Sequence, residues 1–157
     1  MSLRIIVAYV LGVFVAVFAG QTVFAGDTAT DPDKLRIVEL IEDELASAYT
    51  KRSAMETPDF GTLDRIFPAW HGGDPAQARR KLDNCRFYVV SYTVHSVVLP
   101  GPDAASVTGE KTVELSRKTT FLKWIPRDRT RKTRYRFTME CRRREDGGWY
   151  IAEELVE

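Results

Sequence analysis

An α+β fold is predicted for this 157-residue chain, with helices in the first half and a four-stranded antiparallel sheet in the second. Three observations predict it. Four runs from Cys85 onward alternate apolar and polar residues, the mark of strands with one buried face. Three stretches before Asn84 carry helix-start signals or apolar residues at helical spacing. The strands follow one another with short connections, which favours a meander.

Met1 to Ala25 reads as a secretory signal segment. Arg4 supplies the positive start, Ile5 to Ala19 is an uncharged apolar stretch, and Val23-Phe24-Ala25 fits cleavage before Gly26. The rival reading is an uncleaved membrane anchor, for which a span needs about 20 apolar residues. Either reading exports the folded part to the periplasm or beyond. Residues 26–32 form a linker, and residues 33–157 form the α+β domain.

Asp31-Pro32 opens the first helix, because Asp caps free amides and Pro suits the first turn. Leu35, Val38, Ile41, Leu45, Ala48 and Tyr49 form its apolar stripe. Glu39, Glu42, Asp43 and Glu44 lie largely off that stripe and read as a solvated face. Thr57-Pro58-Asp59 starts a shorter helix, with Phe60, Leu63, Ile66 and Phe67 inward. Trp70-His71-Gly72-Gly73 is a loop, and Asp74-Pro75 opens a third helix.

The first strand spans Cys85 to Leu99 and ends at Pro100-Gly101-Pro102-Asp103. The second runs from about Ala105 to Leu122, and Gly109 marks a bulge. The third puts Thr133, Tyr135, Phe137, Met139 and Cys141 on one face. Arg134, Arg136, Thr138, Glu140 and Arg142 occupy the other, which must be wet. Glu145-Asp146-Gly147-Gly148 is a hairpin turn, and the last strand places Trp149 and Ile151 inward.

The net charge is +1, and without residues 1–25 it is zero, which argues against a surface built for nucleic acid. The charge is unevenly placed. Arg117 to Arg144 holds twelve bases and two acids. Arg127, Arg129, Arg131, Lys132, Arg134, Arg136 and Arg142 form a basic surface that is either a solvated sheet face or a site for polyanions or anionic membrane. The two histidines, His71 and His95, offer no metal-ligand spacing, and no cofactor is expected. His95 reads as structural; His71 sits where a pocket mouth could lie. Cys85 and Cys141 pose an open question: export favours a disulfide, but a meander would hold the two strands apart.

The pattern IVELIEDELASAY, then FGTLDRIFPAW, then Arg79-Arg80-Lys81-Leu82 before a strand, closing on GGWYI, resembles the nuclear-transport-factor-2-like superfamily. That superfamily includes the ketosteroid-isomerase-like and SnoaL-like domains. The resemblance implies a strongly curved sheet wrapped around helices as a cone with a pocket at its open end. It places a pocket among Tyr49, Phe67, Trp70, His71, Tyr135, Phe137 and Trp149. It also implies enzymes, binders or dimerising modules, so it does not settle function. Tyr49 falls where an isomerase tyrosine would stand, but no inward acid is evident, and Asp83 reads as a cap. The expectation is therefore a non-enzymatic exported domain that binds a small apolar ligand or dimerises through its open sheet face. An isomerase- or cyclase-like enzyme and a polyanion- or membrane-binding module are the alternatives. Membrane contact otherwise follows only from an uncleaved first segment.

Overall fold

The computed structural model describes residues 31–117 and 130–157. The chain divides into two compact units, Met1–Leu35 and Arg36–Glu157. The expected signal segment, the linker up to Thr30, Arg127, Arg129 and the end of the second strand lie outside the described residues. Among the described residues, no helix is long and apolar enough to cross a membrane.

In the first unit, Asp31 does what its position predicts. Its Oδ1 accepts from the Asp33 amide at 3.0 Å, and its carbonyl accepts from the Leu35 amide at 3.1 Å. Helix α1 (Pro32–Glu39) passes into a π-helical turn (Leu40–Leu45) and then α2 (Ala46–Tyr49). The π turn changes the phase of the buried face. Ile37, Leu40, Ile41, Leu45, Ala46, Ala48 and Tyr49 are buried, whereas Leu35 is 48% exposed. The predicted stripe is corrected accordingly: a regular 3.6-residue period does not survive a π turn.

Glu39 and Asp43 are exposed, as the solvated-face reading expects, but that reading is corrected for Glu42 and Glu44. Glu42 is half-buried, and its Oε1 accepts from the Val94 amide at 2.6 Å. Glu44 pairs with Arg36 at 2.6 Å and approaches Arg65 at 3.7 Å.

Helices α3 (Phe60–Ile66) and α4 (Pro75–Asp83) start as predicted. Asp59 accepts from the Thr62 amide at 3.0 Å, and Asp74 from the Gln77 amide at 2.9 Å. The sheet is β1 (Cys85–Gly101), β2 (Ala104–Arg117), β3 (Thr130–Arg143) and β4 (Trp149–Val156), antiparallel in the order β1-β2-β3-β4. The π turn, α2 and α4 pack on β1, and α3 on β4. Val90, Val97, Val107, Val113, Phe137, Met139 and Ile151 face them and form the core with Leu40, Ile41, Leu45 and Leu63.

Two irregularities shape the sheet. In β1, Val94 pairs with Gly109 and Ser96 with Thr108, so His95 is an extra, bulged residue. Glu42 caps the amide beside it. Gly109 therefore stands opposite a bulge rather than in one. A Cβ there would lie 2.2 Å from the Thr93 carbonyl oxygen and 2.7 Å from the Phe137 ring, so only glycine admits this approach. In β4, Glu140 pairs with Glu153 and Cys141 with Ile151, leaving Ala152 as the extra residue. Side chains after it reverse faces.

The cysteines are not bonded to each other. Cys141, a buried free thiol, pairs with Ala105; Cys85 pairs with Arg117, twelve residues further along β2. That is about 40 Å of strand at ~3.3 Å per residue, far beyond disulfide reach.

Candidate functional site

Between α2, α4 and the inner sheet face lies a cavity of about 750 Å³. Its walls come from four places. Tyr49 ends α2, where the C-terminal turn of the helix projects it over β1. Tyr88 from β1 and Leu115 from β2 are cross-strand partners on the inner face. Leu82 comes from the buried side of α4, with Gln77, Ala78 and Lys81 along the same helix. Trp70, His71 and Gly72 form the loop edge.

The loop is held by named contacts. The Trp70 indole donates to Asp64 Oδ1 at 2.7 Å, and Arg79 donates to Asp64 Oδ2 at 2.9 Å, so one carboxylate ties α3, the loop and α4 together. Trp70 stacks on Phe60 with centroids 5.5 Å apart and meets Tyr49 edge-on at 6.4 Å. Gly73, at φ 95°, turns its amide onto His71 Nδ1 at 3.1 Å. A side chain at that φ would be strained. Because Nδ1 accepts, the ring proton sits on Nε2.

Inside, Lys111 of β2 donates to both oxygens of Glu154 of β4, at 2.9 and 3.1 Å. Their side chains are 12% and 9% exposed. The ammonium lies 5.6 Å from the centre of the Tyr49 ring and 5.1 Å from that of Tyr92, and is attracted by both faces. Burial, with Glu154 as a secondary cause, raises three phenols. Tyr88 is pushed up to about 12, and Tyr49 and Tyr92 are raised well above the ordinary value. All three stay neutral at pH 7. The buried Tyr92 hydroxyl has no hydrogen-bond partner among the described residues, although Glu154 acts on it.

Of the residues expected at a pocket, the structure brings Tyr49, Trp70 and His71 to the cavity. Phe67 and Trp149 are buried in the core instead. Tyr135 stands beside Lys111 in the cross-strand row, half-buried against the core. Phe137 fills the space over Gly109 and lines a second cavity of about 360 Å³, together with the bulged His95. Among the described residues, no cluster of His, Cys, Asp and Glu could hold a metal ion.

Sequence reading missed Tyr88, Lys111 and Glu154. Lys111 had a signal: it is the lone cation in the inward phase Val107, Gly109, Val113, Leu115. Glu154 had none. Unbroken alternation from Trp149 and Ile151 puts Glu153 inward; the bulge at Ala152 substitutes Glu154.

On the outer face, Lys132, Arg134, Arg136 and Arg142 are exposed, as is Arg131 at the strand end. They do not form a purely basic field. Lys132 stands opposite Glu114 and Arg136 opposite Glu110, Arg134 lies 3.8 Å from Glu110, and Glu140 and Glu153 share the face.

A solved structure described as an Ntf2-like protein involved in plasmid conjugation aligns with 79% of this chain at a TM-score of 0.50 and 13% identity. The chain has a nuclear-transport-factor-2-like fold. It spans about half of that structure, 48% of its length. A nuclear-transport-factor-2-like superfamily protein from Salmonella enterica serovar Typhimurium aligns with 88% of this chain and 92% of its own, at a TM-score of 0.40 and 13% identity. No protein-family model and no curated protein sequence matches the chain. The cavity lies between the helices and the inner face of the sheet.

Proposed function

We propose that the chain binds a small, largely apolar molecule in the cavity walled by Tyr49, Tyr88, Trp70, Leu82 and Leu115, and does so without chemistry. The cavity itself carries this reading. Its volume of about 750 Å³ falls in the usual ligand range of roughly 300–1,000 Å³, and Tyr49, Tyr88, Trp70, Leu82 and Leu115 give it an apolar wall beside its polar lining. Three neutral phenols beside it are poor proton donors at pH 7, and both oxygens of the Glu154 carboxylate are already engaged by Lys111. Native mass spectrometry of the protein from its own host tests this. A retained small molecule is expected, and Ala78→Trp, which puts an indole into the cavity, should abolish it. Wild-type protein that stays bare after exposure to apolar small molecules would sink the proposal.

One observation favours the isomerase-like alternative. Glu154 supplies the inward carboxylate that such chemistry needs, within the same cavity. Taking up a substrate proton would require breaking its pair with Lys111, so any turnover found should vanish in Glu154→Gln. Dimerisation through the open sheet face is supported by Val98 (55% exposed) and Leu155 (59% exposed) among its alternating charges. Light scattering at two concentrations tests it.

A further inference from the structure

The ligand-binding reading leaves the polar end of the ligand open, and the lining residues bear on it. Charge inside the cavity is balanced, because Lys111 and Glu154 neutralise each other at 2.9 Å. A second charged group there would have to break that pair. The rim is different. Lys81, in the last turn of α4, is exposed and lines the cavity. No hydrogen bond or ion pair of its ammonium is found among the described residues. His71 presents a donor, because its Nδ1 accepts from Gly73 and leaves the proton on Nε2. Gln77 and Asn84 add amides at the same rim. Glu154 is the sole acid among the described lining residues, and its oxygens are taken. The rim therefore offers donors and one uncompensated cation around an interior whose two charges cancel.

From this we infer that the cavity selects an amphiphile with a single anionic head. Lys81 and His71 hold the head at the rim, and the apolar body lies against Tyr49, Tyr88, Leu82 and Leu115. The inference rests on the ligand-binding reading. Rim charges act through water, so the preference is moderate and salt-sensitive.

Titration calorimetry of the protein with three ten-carbon probes below their micelle concentrations tests it: decanoate, 1-decanol and decyltrimethylammonium. Decanoate is expected to bind about threefold more tightly than decanol at low salt, an advantage typical of exposed ion pairs. The cationic probe should bind most weakly. Lys81→Gln should bring decanoate down to the decanol affinity and leave decanol unchanged, and about 0.5 M salt should have the same effect. His71→Gln, which keeps a donor amide, should lower decanoate affinity less. Equal binding of decanoate and decanol, or tightest binding of the cation, would overturn the anionic head while leaving the cavity reading intact. Failure of all three probes to bind would remove both.

Discussion

The Lys111–Glu154 pair offers the sharpest test of how this site is built. At 2.9 Å and an effective dielectric of about 20, the attraction is roughly 6 kcal/mol before desolvation is counted. Removing water from two groups that are about nine-tenths covered offsets most of it. Lys111→Met alone leaves a carboxylate under three tyrosines with no cation, and should lower stability by about 3 kcal/mol. Glu154→Leu alone strands the ammonium over the Tyr49 and Tyr92 rings and should lower it by a similar amount, softened by the ring attraction. The double variant removes both desolvation penalties and should sit within about 1 kcal/mol of wild type. The coupling from the double-mutant cycle should then be about 4–5 kcal/mol. Urea unfolding at pH 7, with the slopes compared, gives all four values. Single losses below about 0.5 kcal/mol, or a strictly additive double variant, would show that the pair is solvated and would refute its place inside the cavity.

Further outcomes follow from other residues. Gly109→Ala should destabilise by about 3 kcal/mol in urea melts, since its Cβ meets a backbone carbonyl at 2.2 Å; Gly101→Ala, which meets nothing within 4 Å, should change little. Glu42→Ala leaves the half-buried Val94 amide without its 2.6 Å acceptor and should cost about 2 kcal/mol, with faster hydrogen exchange at Val94 as the local readout. For Tyr88 the folded value, about 12, exceeds the unfolded one near 10, so the folded state holds its proton more tightly. Stability is full below pH ~10 and declines as pH rises toward about 12; Tyr88→Phe should make the loss between pH 10 and 11 shallower, and an unchanged slope would contradict its burial. The Cys141 thiol, pushed up to about 12 mainly by burial, should resist iodoacetamide at pH 8 in the native state and react promptly in urea.

Much of the fold was legible because its signals are local. Asp31, Asp59 and Asp74 announce their helices through hydrogen bonds within four residues. The β3 alternation from Thr133 to Cys141 reports one buried face directly. What stayed hidden depends on a single added residue in a strand or a helical turn. The π turn moved Leu35 off the buried stripe and carried Glu42 to a strand amide 52 residues away. The bulge at Ala152 exchanged Glu153 for Glu154 and so created the polar end of the cavity. Phe67, Phe137 and Trp149 are aromatic enough for a pocket, but packing drew them into the core or over Gly109.

Element order, the β3 alternation, helix caps and the loop position of Trp70 and His71 were thus set by the sequence itself, since each depends on neighbours along the chain. The tertiary structure alone decided that Lys111 meets Glu154 across β3, that Cys85 and Cys141 stand far apart along the sheet, and that acids interleave with the outer arginines. Those outcomes depend on register between strands, and register is chosen by the packing of the whole inner face rather than by any residue within one strand.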